Sequence, residues 1–208
     1  LQYFIAKYKQ EDIKMKKLVC SALVLFAFVS AGFAEDAAKT SAVKNEGLQT
    51  VNVNDIKEFA KSELMKKVPL TTDKLVFNSY FLAPRQVLAL HKHPTTDELF
   101  FIVEGHGQFT VGSSQVMVDS GSAIYGPAAV PHGVVNSGNK DMVMISVQSP
   151  KPVKMIYSEN ASVVCGVCGQ ENIVPEGAKE GDIIICPRCH AKLKLSKSKD
   201  GKWIATQI

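Results

Sequence analysis

The chain has 208 residues, 46% of them apolar, with 24 Lys+Arg against 20 Asp+Glu and a formal charge of +4. That length allows one medium domain, or one small domain plus a smaller module, with a core that needs no disulfides. The composition excludes collagen-like, mucin-like and wholly disordered chains, and so small a charge does not argue for a nucleic-acid partner. Five cysteines, an odd number, suit a secreted disulfide framework poorly.

Residues 1–34 read as separate from the mature fold. Met15-Lys16-Lys17 is a short basic start, Leu18–Phe28 is an apolar run of 11 residues, and Gly32 and Ala34 are the small residues of a signal-peptidase site before Glu35. The run is short for a membrane span, which needs about 20 residues. The expectation is a secretory signal from Met15 cleaved after Ala34, an exported periplasmic or extracellular protein, and no stable membrane span after cleavage. A retained N-terminal anchor is the competing reading. Cys20 lies early in the apolar run, after Val19, which makes a poor lipoprotein box. Leu1–Lys14 precede the signal and read as upstream in-frame sequence or as an extended start. Residues 1–34 hold five Lys and two acids, so without them the formal charge falls to +1. The odd cysteine is then Cys20.

Residues 35–50 are polar and read as a linker. Residues 51–152 read as the main domain. Its first element is an expected amphipathic helix over Asn54–Val68, with Asp55 and Glu58 spaced as in a capping box, an apolar stripe of Ile56, Phe59, Ala60 and Leu64, and Pro69 as the stop. From Lys74 to Gln148 short strands follow at close spacing: 75–82, 86–91, 98–103, 108–111, 115–118, 123–125, 133–136 and 142–147. Turn residues such as Ala83-Pro84, Glu104-Gly105 and Gly112-Ser113 separate them. That pattern is all-β, a sandwich or a barrel. Ser149-Pro150-Lys151-Pro152 marks a boundary, and residues 161–208 form a second, small module.

Four of the five histidines fall within residues 91–132. On a strand His91 and His93 point to one face. Glu98 opens the next strand and can fold back toward them, and His132 begins a later one. Three imidazoles and one carboxylate suit Fe, Mn, Ni, Co or Zn, and a six-coordinate ion would keep positions open for substrate or dioxygen. Alternation puts Phe100 and Ile102 inward with Glu98, Ala89 and Val87 with His91, and Val134 and Asn136 with His132. The inner wall is then mostly apolar, with Tyr80, Gln108, Tyr125 and Gln148 as possible polar groups. No Lys or Arg is clearly inward, which disfavours a phosphorylated sugar. His106, just past Gly105, reads as a solvated turn residue.

The spacing His-x-His-x4-Glu-x6-Gly is met by His91, His93, Glu98 and Gly105, and Gly-x5-Pro-x-Gly-x2-His-x3-Asn by Gly121, Pro127, His132 and Asn136. The two motifs resemble those of the cupin superfamily, over roughly residues 70–150. The resemblance implies a small jelly-roll barrel, an interior metal held by His91, His93, Glu98 and His132, and a homodimer through barrel edge strands. Two positions depart from the pattern. Arg85 stands at the leading Gly of the first motif and Ala129 at the internal Gly of the second; both are expected turn positions.

Cys165 and Cys168, then Cys186 and Cys189, make a CxxC…CxxC arrangement that four-thiolate zinc sites use. It resembles a zinc ribbon, a β module whose metal compensates for a tiny core. Paired disulfides are the alternative in an oxidising compartment. His190 reads as exposed rather than as a replacement for Cys189. Asp200-Gly201 offers a type I′ turn before Trp203. The lysines from Lys192 to Lys202 alternate with apolar residues and read as a solvated face, not a nucleic-acid surface.

The expected architecture is an all-β cupin barrel preceded by a short helix and followed by a zinc-ribbon module. The expected function is a metal-dependent enzyme acting on a small organic molecule, with dioxygenase, isomerase or lyase chemistry implied by the resemblance. The alternative is a non-enzymatic metal or ligand binder whose ribbon docks a partner.

Overall fold

The computed structural model describes residue 47, residues 49–159 and residues 161–208. The expected signal, Cys20 and most of the expected 35–50 linker lie outside the described residues. The fold is all-β, with one short 3-10 turn at Val53–Ile56. The strands are β1 (Met65–Thr71), β2 (Val76–Leu82), β3 (Val87–Lys92), β4 (Asp97–Glu104), β5 (His106–Val111), β6 (Ser114–Asp119), β7 (Ala123–Gly126), β8 (His132–Val135), β9 (Met142–Ser149), β10 (Ile156–Tyr157), β11 (Ser162–Val164), β12 (Glu171–Ile173), β13 (Ile183–Ile185), β14 (Lys192–Lys197) and β15 (Trp203–Gln207).

Two five-stranded antiparallel sheets, ordered β1-β2-β9-β4-β7 and β10-β3-β8-β5-β6, make the barrel. Their inner faces carry Tyr80, Leu82, Leu88, Phe100, Ile102, Phe109, Val134, Met142 and Met144, all buried. Alternation sets this pattern: along β4, Glu98, Phe100 and Ile102 are buried while Leu99 and Phe101 face out. Burying each of these large apolar side chains contributes on the order of 1.5–3 kcal/mol.

The helix expected over Asn54–Val68 does not form. Its first residues make the 3-10 turn, capped by the Asn52 side chain, which accepts from the Asn54 N–H at 3.0 Å. Its last residues become β1, which pairs with the outer edge of β2. Strand pairing overrides helix propensity here. Phe59, from the expected apolar stripe, packs edge-on against Phe81 at 5.7 Å. Pro69 does not stop a helix. It sits in an edge strand, within a bulge between Lys67 and Leu70, where its missing N–H is tolerated.

The expected parity of β3 also fails, because the strand is bulged. Leu88 faces Val134 and His91 faces His132, so three steps along β3 match two along β8. The extra residue makes Leu88, not Ala89 or Val87, share the interior with His91. Leu90 turns to the outer face, where it packs with Val135, Ile173 and Val87.

The second module is a β11–β12 pair and a β13-β14-β15 sheet over a core of Val163, Val174, Ile184, Leu193 and Leu195. Lys192, Lys194 and Lys197 are exposed while Leu193 and Leu195 are buried, so the lysines do form a solvated face. The β14–β15 turn is not type I′. The Gly201 N–H donates to the Ser198 carbonyl at 2.9 Å and only Gly201 has a positive φ, +78°, whereas type I′ needs two such residues. The module lies on the barrel's outer face. Gly133 on β8 allows this approach, since a Cβ there would fall 2.7 Å from the Leu88 carbonyl oxygen and 3.0 Å from Ile173 Cδ1.

Candidate metal centre

His91 ends the buried part of β3, His93 follows it, Glu98 is the second residue of β4 and His132 opens β8. All four side chains are fully buried, and their ligand atoms lie within 4.8 Å of one another. His93 Nε2 is 2.9 Å from Glu98 Oε2, His132 Nε2 is 3.2 Å and His91 Nε2 is 3.9 Å. Ligands about 2.1 Å from a six-coordinate ion sit about 3.0 Å apart when adjacent and about 4.2 Å apart when opposite. The first two distances match adjacent positions and the third approaches an opposite one.

The imidazoles are oriented from behind. Each Nδ1–H donates to a main-chain carbonyl: His91 to Ala89 at 2.8 Å, His93 to Lys154 at 2.8 Å, His132 to Val130 at 3.0 Å. Those bonds select the tautomer whose Nε2 carries a lone pair, the arrangement of metal-ligating histidines. Three nitrogen lone pairs then face one carboxylate oxygen, which is repulsive unless a cation lies between them. His91 Nε2 has no hydrogen-bond partner at all. Burial pulls the His91 pKa down to about 4, so this ring is neutral at pH 7. Burial raises the Glu98 pKa, but its contacts with His132, His93, Ser146 and Gln148 outweigh that and hold the carboxyl well below the usual range, so Glu98 is an anion. The residues present fit a divalent metal ion.

Close packing fixes the His132 ring. Phe100 meets it edge-on at 5.4 Å. Gly126 of β7 also meets it, and a Cβ there would fall 2.9 Å from His132 Nδ1. The two departures from the glycine pattern, Arg85 and Ala129, do occupy turns, with φ of +76° and +64°. The Ala129 N–H donates to the His93 carbonyl at 2.7 Å, so this strained turn holds the backbone of a site residue.

One wall of the site is polar, contrary to the expected apolar lining. Ser146 donates to Glu98 Oε1 at 2.6 Å and the Tyr80 hydroxyl donates to the same oxygen at 3.3 Å. Burial, then the Glu98 charge, pushes the Tyr80 pKa well up, so the phenol stays a donor. Asn78 Nδ2 donates to Ser146 Oγ and to Gln148 Oε1, both at 3.0 Å. That leaves Gln148 Nε2 to point at His93 Nε2, 3.0 Å away. Asn78 and Ser146 were missed from sequence. Their signal was present: they hold inward positions of β2 and β9, strands whose other inward residues include Leu82, Met142 and Met144. Of the other polar candidates, Tyr125 is exposed and Gln108 lies in a groove beside Ser113 and Pro175. His106 is exposed at the start of β5, apart from the site.

Beside the site is a cavity of about 710 Å³ between the β1–β2 and β10–β3 edges. Tyr80, Leu88 and Tyr157 line it, and the Tyr157 ring lies 5.9 Å from the His91 ring. Its rim carries Lys61, Lys66 and Arg85 against Glu63 and Glu171. Lys66 Nζ lies 5.3 Å from the Tyr80 ring centroid. Its pKa is lowered by desolvation against the pull of Glu98. No Lys or Arg is expected clearly inward; β1, read as helix, brings the exposed Lys66 to the mouth.

The four cysteines meet between two matching knuckles, one from β11 to β12 and one from β13 to β14. Cys165 Sγ is 3.7 Å from Cys189 Sγ, and Cys168 Sγ is 3.7 Å from Cys186 Sγ. Sulfurs about 2.3 Å from a tetrahedral ion are about 3.8 Å apart, whereas a disulfide needs about 2.05 Å. The geometry fits one ion. Gly169 and His190 hold equivalent left-handed positions, and their N–H groups donate to the Cys165 and Cys186 carbonyls at 2.9 Å. His190 is thus an exposed turn residue, and Cys189 is in the cluster. Burial pushes the Cys186 thiol up to about 12. Burial also acts on Cys165, but N–H donors of Cys168 and Val167 outweigh it and bring that thiol to about 7.

Comparison with known proteins bears on the barrel. The family model described as the Cupin domain matches residues 79–148. An uncharacterized protein of Methanocaldococcus jannaschii is 36% identical over 61 residues, 29% of this chain and 49% of that protein. The chain thus spans about half the length of that relative. The oxalate-binding protein of Thermotoga maritima is 26% identical over 90 residues, 43% of this chain and 74% of that one. A solved structure of a conserved protein with a double-stranded β-helix domain, from Klebsiella pneumoniae, matches with a TM-score of 0.51 and 22% identity. That match covers 53% of this chain and 96% of the other, and it concerns the fold. No helix among the described residues is long and apolar enough to cross a membrane.

Proposed function

We propose that this chain, whose residues 79–148 match the Cupin domain model, is an exported, metal-dependent enzyme acting on a small organic carboxylate. The observation that carries the reading is the convergence of three oriented imidazole nitrogens and Glu98 Oε2 in a fully buried site. The Met15–Ala34 pattern alone supports export.

A divalent transition ion there supplies a Lewis acid that polarises an oxygen of the ligand, and lyase or dioxygenase chemistry suits it. The chain's own residues do the rest. His91, His93, His132 and Glu98 present the ion to the barrel interior. Tyr80 and Ser146 hold Glu98 Oε1, so that Oε2 faces the imidazoles. Gln148, its carbonyl occupied by Asn78, keeps an N–H aimed at the centre, where it can donate to a ligand oxygen. Leu88, Phe100 and Phe109 exclude water from the inner side.

Charge supports an anionic ligand. A divalent ion with one carboxylate and three neutral imidazoles is net positive. Lys61, Lys66 and Arg85 at the cavity rim have no carboxylate partner within 4 Å among the described residues. The likeness to an oxalate-binding protein points the same way. That relative's name and the absence of an unpaired buried acid or base beside the ligands favour a second reading, a binder without turnover.

The test starts from the purified chain, with metal content measured before and after His91→Ala. Loss of one divalent metal with retention of zinc supports the centre. Small mono- and dicarboxylates are then offered to the loaded protein, with carbon dioxide release and dioxygen uptake followed. Binding without turnover moves the assignment to the binder, and absence of barrel metal refutes both.

A further inference from the structure

The segment joining the barrel to the cysteine module is part of the barrel's metal centre. Residues 150–159 run back along β3 as a strap. The Thr96 hydroxyl donates to the Pro150 carbonyl at 2.9 Å. The Lys154 carbonyl is the acceptor that orients His93. Ile156 and Tyr157 pair with Lys92 and His91, placing the Tyr157 ring over His91. The Ser158 N–H donates to the Leu90 carbonyl at 2.8 Å.

Past residue 159, the module continues the contact with the barrel. Ala161 and Ile173 pack with Leu90 and Val135 on the outer face of the barrel. Gln115 Nε2 donates to the Ile173 carbonyl at 3.1 Å. The knuckles add two ties. Gln170 Nε2 donates to the Arg85 carbonyl at 3.3 Å, and Arg188 donates to the Gly138 carbonyl at 2.8 Å and to Asn139 Oδ1 at 2.6 Å. Both Gln170 and Arg188 lie within or next to a CxxC knuckle, so their placement depends on the four cysteines being held together. So small a module is held folded largely by its ion.

We propose that the four-cysteine site and the barrel site are thermodynamically coupled through this strap. An ion at Cys165, Cys168, Cys186 and Cys189 fixes the knuckles, the knuckles fix the strap, and the strap fixes His93 through Lys154 and covers His91 with Tyr157. Losing the hydrogen-bond partner behind one metal-ligating histidine typically costs about 10–100-fold in metal affinity. An empty or broken cysteine site therefore weakens the barrel site by about 10–100-fold. Linkage requires the reverse effect to be equal: metal in the barrel tightens the cysteine site by the same factor. The inference rests on the barrel holding a metal.

The experiment uses the full chain and Mn²⁺, whose free form is read by electron paramagnetic resonance. The Mn²⁺ dissociation constant is compared between the zinc-loaded chain and a Cys186→Ser/Cys189→Ser variant. A third sample, Ile173→Ala/Arg188→Ala, keeps the cysteines but cuts the dock. Weaker Mn²⁺ binding in both variants is expected. In the unmutated chain, zinc affinity measured against a chelator should rise on Mn²⁺ addition by the factor seen in the cysteine variant. That measurement decides the matter if either variant fails to fold. Equal Mn²⁺ affinity within twofold in folded variants, or a zinc affinity indifferent to Mn²⁺, overturns the coupling and leaves the barrel centre standing. No Mn²⁺ binding by the unmutated chain overturns both.

Discussion

Gly126→Ala offers a sharp probe of the barrel centre, because its consequence follows from one contact. A Cβ at this position falls 2.9 Å from His132 Nδ1 and 3.2 Å from its Cγ and Cε1. Non-bonded carbon contacts settle near 3.5–4.0 Å, so the ring must retreat by roughly 0.5 Å. The ring is also packed against Phe100 and the His91 and His93 rings, all fully buried, so it cannot retreat freely. Metal sites tolerate ligand displacements of about 0.2 Å. The expected result is a loss of barrel metal affinity of about 10–100-fold, with a stability cost of roughly 1–3 kcal/mol from overpacking. Gly166→Ala is the control, since a Cβ there meets nothing within 4 Å. Isothermal titration with Mn²⁺ or Co²⁺ at the barrel site, with zinc already at the cysteines, gives the affinities. Binding by Gly126→Ala within twofold of the unmutated chain would refute the assignment of His132 as a ligand.

Three further outcomes are expected. In metal-stripped protein, the His91 pKa of about 4 lies below the ordinary 6.5. The unfolded chain therefore takes up a proton that the folded one refuses, and stability present above pH 6.5 is lost as pH falls toward 4. The lowered Glu98 pKa adds its own loss only below about 4.5. The His91 share is about 2 kcal/mol, read from urea midpoints between pH 7 and pH 4.5, and a flat profile removes the basis for a neutral buried imidazole. Ala129→Gly relieves a left-handed φ of +64° and should raise stability by roughly 0.5–1 kcal/mol; a lowered midpoint contradicts this. Lys66→Met should weaken binding of a small dicarboxylate roughly three- to tenfold at low salt, with the difference shrinking as salt is added, and an unchanged constant argues against an anionic ligand.

Much of this was readable in the residues. The eight strands expected between residues 75 and 147 fall within a residue or two of their places among the barrel's ten, because alternation and turn residues are local signals. The four barrel residues and the four cysteines come together as their spacing implied. What sequence hid was context. An apolar stripe at Ile56, Phe59 and Leu64 suits a helix until β2 needs an edge partner, and only the sheet reveals that need. Without β1, Lys66 has no place at the mouth. Ser146 and Asn78 share the parity of inward Met144 and Tyr80, but parity alone does not say that those positions lie beside Glu98.

The β3 bulge shows best why parity alone could not finish the site. In a regular strand Leu88 and Leu90 share a face, and His91 takes the other. One extra residue lets Leu88 and His91 both enter the barrel while Leu90 faces the module. Consecutive residues are thereby buried on opposite sides of one strand: His91 against the other imidazoles, Leu90 against Ile173. The same bulge leaves the Ala89 carbonyl free to accept from His91 Nδ1, while the Leu90 carbonyl accepts from Ser158 of the strap. A strand that serves two cores in adjacent residues transmits displacement between them. Any change that moves Ile173 on Leu90 acts directly on the backbone that carries His91.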